Sequence, residues 1–408
     1  METIKGFKDY VGEEAKKRAE IKKILVETFE KYGYEPAETP VIEAEEFVRG
    51  ENSNDEAVSD IYKLEDKGKR KLALRYEFTF QLKRLMQNKK LPYKRYQLGE
   101  VFRDEPVSSN RFRQFVQSDI DTIGSTIKDD AEILALTKEV LEKLGIKFKI
   151  YVGNRALLNE ILEANSGKIS INSSGSQIKE LEIKSNQNQI LREIDKLDKL
   201  PEAEIKSNLK KYKAENLVNI LKKPEKYFEK YKNYKDISEL KKYCKNYGVG
   251  IVFQPSLVRG LSYYNKNVFE IKTPESRETI VGGGSYIFNG IQSTGISFGL
   301  DRLSSLANID YEKEKYLIIS LEQDKDSQKS KISNPASMKN QEEAINIANK
   351  LRKKNKIVNL FYGKPSKALE YANSYKFSKV IFVGEKEIKN KKFMVKDMKT
   401  GKEKQEVF

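Results

Sequence analysis

Residues 96–121 read YQLGEVFRDEPVSSNRFRQFVQSDID. Two runs alternate apolar with polar residues, RYQLGEVFRDE over 95–105 and RQFVQSDIDTIG over 113–124, with the polar stretch PVSSN between them. A period of two is the mark of a strand with one buried face. The spacing therefore predicts two antiparallel strands joined by a loop too long for a tight hairpin. Arg103 falls on the first strand, and Arg111 and Arg113 flank the return. Guanidinium groups match carboxylate and phosphate geometry and keep their charge when partly desolvated. Gln117 and Asp121, four residues apart, share one face of the second strand.

Outward from this pair, residues 13–32 carry Ile21, Ile24, Leu25, Phe29 and Tyr32 at helical spacing, with Gly33 as a stop. Residues 34–42 are punctuated by Pro36 and Pro40 and read as extended. LALRYEFTFQLKRL over 72–85 begins as a strand and ends as the start of a helix. A second helix is predicted over 129–144, with Ile133, Leu134, Val140, Leu141 and Leu144 on one face. Residues 165–235 open with a small-residue linker, SGKISINSSGSQ, and continue rich in Lys, Glu and Asn with sparse leucines. They read as an inserted helical module, modestly packed at best. Strand patterns return at 250–258 and 267–271, before the glycine-dense IVGGGSY. GISFGLDRLSSLANI then reads as a strand running into a helix. After Ile309, strands at YLIISL, IVNLFYG and KVIFVG alternate with helices at 342–353 and 366–375, and a polar loop covers 322–340; this is the pattern of a small α/β domain.

The 408-residue length favours several domains, and the formal charge of +16 admits a polyanionic partner. From 311 to 408 there are 23 Lys and Arg against 13 Asp and Glu, so most of that excess sits in the last quarter. The chain contains no histidine and one cysteine, Cys244. A histidine general base, a Ser–His or Cys–His nucleophile, a disulfide framework and a Cys/His zinc site are all excluded. Arginines, carboxylates, tyrosines and backbone remain, which suits charge stabilisation at a phosphoryl group. No apolar run approaches the ~20 residues that span a bilayer, so a cytoplasmic location is expected.

The segment 96–121 resembles motif 2 of class II aminoacyl-tRNA synthetases, in the form used by the histidyl-tRNA synthetase family. LVRGLSYYNKNVFEI resembles that family's histidine signature, and TGISFGLDRL its motif 3. IKGFKDY and GYEPAETPVIE are similar to its N-terminal signature and motif 1, and ALRYEFT to the segment that contacts the substrate amino group. The segments occur in the family's order over nearly the whole chain.

The resemblance implies an α+β fold: a class II antiparallel sheet of six or seven strands flanked by helices, a helical insertion, and a C-terminal α/β anticodon-binding domain. It implies catalytic segments at 1–164 and 246–310, the insertion at 165–245 and the anticodon domain at 311–408. Catalytic roles fall to Arg103 and Arg259, both on the ATP α-phosphate. Histidine contacts fall to Glu77, Thr79 and Gln117 at the α-amino group, Asp121 at the ring N–H, and Tyr263, Tyr264 and Tyr286 around the ring, with Arg103 and Arg259 completing the set. ATP contacts fall to Arg103, Glu105, Arg111, Phe115 and Arg302.

The implied function is ligation of L-histidine to tRNA(His) through a histidyl-adenylate. ATP enters with Mg2+, no zinc is held by the protein, and the chain is a homodimer that needs no membrane. A ring with one donor and one acceptor nitrogen calls for an acceptor and a donor in the pocket, and Asp121 with a tyrosine hydroxyl supplies them. The alternative is a non-charging paralogue acting as a histidine-sensing regulatory subunit. Such subunits generally lack the C-terminal module and often lose the arginine corresponding to Arg259. The chain departs from the family where Ser285 and Ile287 replace the usual Arg and Asp beside Tyr286, and at Ser262, Val116 and Tyr76.

Overall fold

The computed structural model describes residues 2–49, 60–108, 111–165, 187, 189–198, 200–258, 264–274, 279–321 and 335–408. Arg259, Ser262 and Tyr263, the linker at 166–177 and residues 322–334 of the expected polar loop lie outside them. The chain divides into two compact units, Met1–Ile309 and Asp310–Phe408.

The first unit is built on an eight-stranded sheet. Its strands, numbered along the chain, are β1 (Glu35–Pro36), β5 (Tyr93–Phe102), β6 (Gln114–Ile123), β7 (Lys149–Asn154), β8 (Ile251–Phe253), β9 (Tyr264–Lys272), β10 (Thr279–Phe288) and β11 (Ile291–Gly299), in the order β1-β5-β6-β11-β10-β9-β7-β8. The six central strands pair antiparallel throughout. Two short edge strands, β1 and β8, add in parallel. They take the total above the six or seven expected: β8 falls within the strand pattern read at 250–258, and β1, a run of two residues, carries no readable period. A three-stranded sheet, β2 (Ile42–Ala44), β4 (Lys71–Leu74) and β3 (Lys63–Glu65) in that order, lies beside it in the sequence.

β5 and β6 pair from Tyr93↔Ile123 to Phe102↔Gln114, the two-run arrangement expected of 95–124. One face of the sheet is apolar: Val116, Ile120, Ile296 and Phe298 are buried there under the helices Gly12–Lys31 and Ile127–Lys143. Phe29 packs with its ring centroid 5.6 Å from Tyr96 and 5.7 Å from Phe298. The second helix starts two residues before the expected 129, because Thr126 and Asp129 form a capping box. Asp129 occupies the third helical position and accepts from the Thr126 amide at 2.7 Å.

The insertion shares an apolar core with the preceding helix Arg155–Asn165, which corrects the expectation of modest packing. Leu157, Ile161, Ile190, Leu191, Ile205, Leu209, Leu217 and Phe228 are buried together. Isoleucines, Phe228 and Tyr231 supply what sparse leucines do not.

In the second unit β12 (Lys315–Ser320), β13 (Ile357–Tyr362) and β14 (Lys379–Val383) run parallel, and β15 (Phe393–Asp397) and β16 (Glu403–Glu406) add antiparallel, in the order β13-β12-β14-β15-β16. Ile318 faces Ala344, Ile347 and Leu351 of the helix Pro335–Lys353. Leu317 and Ile319 face Ala368 and Ala372 of the helix Pro365–Ser374. The sheet is thus covered on both sides by alternation along β12. The first helix begins seven residues before the expected 342, at Pro335, a residue suited to a helix's first turn.

Phe228 is fully buried in the insertion core. Phe228→Ala is expected to destabilise that core by about 3–5 kcal/mol. Hydrogen exchange should then show protection lost over 200–231 well before the sheet and the helix Tyr234–Asn246 packed on it. Uniform loss across the unit would mean that the insertion has no separate core.

Candidate active site

Antiparallel register places polar and small residues of four strands on the face opposite the helices. Arg95 on β5 stands beside Asp121 on β6, which stands beside Gly295 on β11 and, through it, Gly284 on β10. The next rung carries Gln97, Asp119, Ser297 and Gly282, and the next Gly99, Gln117 and Gly299. Glycines where side chains would otherwise project leave a cavity of about 430 Å³. Gly295 is required there: a Cβ would meet Asp121 Oδ1 at 2.3 Å. Gly283 and Gly284 face backbone oxygens at 2.1 and 2.6 Å in the same sense, so β10 and its neighbours close up only around glycine.

The cavity gathers Glu77, Thr79, Arg103, Glu105, Arg111, Phe115, Gln117, Asp121, Tyr264, Tyr286 and Arg302. These are all the candidate residues except Arg259 and Tyr263, which lie outside the described residues. Arg103 donates through Nε to the Tyr76 carbonyl at 3.1 Å and reaches Gln117 Oε1 at 3.5 Å. Its guanidinium lies 5.2 Å from the centre of the Phe115 ring. At the mouth, Arg111 pairs with Glu105 at 3.0 Å. Arg302 donates to the Thr279 carbonyl.

At the closed end, the Tyr286 hydroxyl donates to Asp121 Oδ1 at 2.5 Å, and Arg95 pairs with Asp121 Oδ2 at 2.8 Å. Arg95 is wholly buried. Burial, followed by the Asp121 charge, holds the Tyr286 hydroxyl far above its ordinary range, so it stays protonated and donates.

Several residues that shape the site are absent from the sequence reading. Arg95 also donates to the Phe78 carbonyl at 2.9 Å. Arg75 donates to the carbonyls of Glu100 and Thr39, both at 2.8 Å. With Arg103, these guanidiniums pin the irregular segment that carries Glu77 and Thr79. Asp301 accepts from Arg18 at 2.5 Å and from the Tyr10 hydroxyl at 2.8 Å, tying the N-terminal segment to the helix Leu300–Leu306 that presents Arg302.

Asp119 lines the cavity between Gln117 and Asp121. Burial pushes its carboxyl up to about 6, against the pull of Arg95. The signal for it was available: Gln117, Asp119 and Asp121 have one parity on a strand whose other face is apolar.

The departures from the family pattern have local accounts. Ser285 donates to the buried Asp130 at 2.9 Å, beside Asn267 at 2.8 Å. Ile287 points away and is exposed. Val116 lies on the core face. Tyr76 stacks on Phe80 at 5.8 Å and offers Arg103 its carbonyl.

Gly295→Ala is expected to displace Asp121 and lower stability by about 1–3 kcal/mol, whereas Gly299→Ala, with open space around it, should leave stability nearly unchanged. Equal melting temperatures for the two variants would refute the close approach. A second expectation concerns pH. A carboxyl whose folded pKa is raised to about 6 favours the fold when protonated and opposes it as pH rises through that value. Asp119→Asn should therefore melt above the wild type at pH 7.5, with the advantage shrinking as pH falls below 6. A constant difference across that range would show that Asp119 carries no burial penalty.

Among known proteins, a family model described as Histidyl-tRNA synthetase matches residues 6–303, and one described as Anticodon binding domain matches residues 318–408. The chain is 32% identical to a histidine–tRNA ligase of Methanocaldococcus jannaschii, covering 98% of this chain and 96% of that protein. It is 31% identical to histidine–tRNA ligase 1 of Bacillus cereus, covering 99% of this chain and 96% of that protein. The fold matches a histidyl-tRNA synthetase crystal structure from Nostoc with a TM-score of 0.81 at 21% identity, over 100% of this chain and 96% of that one. It also matches a Bacillus halodurans structure described as an ATP phosphoribosyltransferase regulatory subunit/histidyl-tRNA synthetase, with a TM-score of 0.74 at 21% identity, over 94% and 98%. With a cavity that gathers motif 2, motif 3 and tyrosine side chains, and with matches running along the whole chain, this protein belongs to the histidyl-tRNA synthetase family of aminoacyl-tRNA ligases.

Proposed function

We propose that the chain activates L-histidine with ATP as a histidyl-adenylate and transfers the histidyl group to the 3′-terminal ribose of tRNA(His). The observation that carries this reading is the meeting of Arg103, Asp121 and Tyr286 in one cavity. A cation for the reacting phosphate and a polar niche for a ring occupy the same space. The histidine carboxylate attacks the α-phosphorus in line and pyrophosphate leaves. Arg103 and Arg259 stabilise charge on the five-coordinate phosphorus. Phe115 and Arg302 hold the adenine, and Glu105 and Arg111 exchange their mutual ion pair for contacts with adenine and phosphate.

Asp121, paired with Arg95, accepts the ring N–H. The Tyr286 proton is directed at Asp121, which leaves the second ring nitrogen to the hydroxyl of Tyr264 at the same end of the cavity. A site that hydrogen-bonds the ring disfavours apolar isosteres by a factor on the order of 10⁴. Neither step requires a protein imidazole, so a chain without histidine is competent for both.

Mg2+ arrives on the ATP phosphates, whose charge it offsets. Among the described residues no cluster of three His, Cys, Asp or Glu side chains could hold a metal ion. None of the described helices is long and apolar enough to cross a membrane. The second unit binds the anticodon stem and loop, two copies of the chain assemble through the motif 1 segment, and the enzyme works in the cytoplasm. A non-charging regulatory role is the competing reading, because the Bacillus halodurans neighbour bears both descriptions. The match of an anticodon-binding domain to residues 318–408 weighs against it.

ATP–pyrophosphate exchange should depend on histidine among the twenty amino acids. Arg103→Ala and Arg259→Ala should each lower it by about 10²–10³ while histidine still binds. Exchange driven by another amino acid overturns the specificity. Histidine binding without exchange favours the regulatory role.

A further inference from the structure

The closed end of the cavity holds two carboxylates, Asp119 and Asp121, but Arg95 is ion-paired with only one of them. Asp121 has Arg95 at 2.8 Å and the Tyr286 hydroxyl at 2.5 Å, so both of its oxygens are engaged and its charge is offset. Asp119 has neutral donors alone: Gln117 Nε2 reaches Oδ2 at 2.8 Å, and the Ser297 hydroxyl lies beside the carboxylate. Its Oδ1 has no hydrogen-bond partner, although the residue is only 6% exposed and lines the cavity. A buried carboxylate oxygen without a donor is costly to maintain. A solvated surface position would have relieved that cost, and a core position would have supplied a partner. Here the orphan oxygen, itself buried, belongs to a residue that lines the cavity where the substrate must lie.

Its place along β6 narrows what can complete it. Asp119 stands one rung from Gln117, which is bonded to Arg103, and one rung from Asp121 on the other side. In the proposed reaction the carboxylate end of histidine lies toward Arg103 and its ring toward Asp121. The rung between them faces the middle of the amino acid. Histidine carries a full positive charge on its α-ammonium group, and a second on its ring once the ring is protonated.

We propose that Asp119 is a further substrate-contact residue, whose free oxygen binds a positively charged N–H group of the amino acid. This rests on the reading of the cavity as a histidine site. It divides the work of the two carboxylates by charge. Asp121, already balanced by Arg95, serves a neutral N–H donor, and Asp119, balanced by no ion pair in the free protein, serves a cation. Substrate binding then relieves the desolvation that the free protein bears at this residue, so the interaction is gained only in the complex.

The test is calorimetric titration of wild type and Asp119→Asn at pH 7 with L-histidine, with 3-(imidazol-4-yl)propionate, which lacks the ammonium group, and with ATP. Asp119→Asn should bind histidine about 10–100-fold more weakly, the usual cost of losing a charge-assisted bond, and bind ATP as the wild type does. If the des-amino analogue binds both proteins equally, the contact belongs to the ammonium group. If the analogue loses the same factor, it belongs to the ring. Unchanged histidine affinity overturns the proposal, as does a proportional loss of ATP affinity, which would make Asp119 a structural residue. Wild-type protein that binds ATP but not histidine overturns the underlying reading instead, and this inference with it.

Discussion

A single buried guanidinium organises the catalytic unit. Arg95 lies wholly inside the protein, where an unpaired charge would be prohibitive. It is tolerated because β5 and β6 set it directly across from Asp121, and because the Phe78 carbonyl accepts from the same group. That one side chain holds Asp121 in place, the orientation of Tyr286 through it, and the position of the segment bearing Glu77 and Thr79. Breaking a buried ion pair costs more than never having formed it. Arg95 is thus a device for placing groups rather than a source of stability.

The second constraint is what the sheet leaves out. Gly99, Gly282, Gly284, Gly295 and Gly299 fall on the face that carries Gln117, Asp119 and Asp121. On the opposite face the same strands present Val116, Ile120, Ile296 and Phe298 to two helices. A fully antiparallel centre makes this possible, since alternation lets one set of strands serve as core on one side and as a polar floor on the other. On the helix-covered side the polar groups that are buried are bonded to one another: Asp130 accepts from both Asn267 and Ser285. Where the family pattern has a long charged side chain, a serine short enough to reach Asp130 suffices.

The other parts of the chain are energetically more independent. The insertion closes an apolar core around Phe228 together with the helix Arg155–Asn165, and the Asp310–Phe408 unit closes two, one on each face of its sheet. Cys244, alone of its kind, is buried against the helices, and burial pushes its thiol up to about 12, which leaves it inert toward oxidation at neutral pH.

The sequence by itself determined the strand pair at 95–124, the two long helices, the α/β alternation after Ile309, and the residue types able to meet a phosphate or a ring. These follow from local periodicity and from side-chain chemistry, both of which act within a few residues. Only the tertiary structure decided that Arg95, silent as one arginine among many, faces Asp121, that glycines from β10 and β11 line a single cavity, and that Asp119 keeps an oxygen without a donor. Register between strands distant in sequence is set by long-range packing. The short edge strand β1 and the insertion core were hidden for the same reason: their stability comes from neighbours and not from their own pattern.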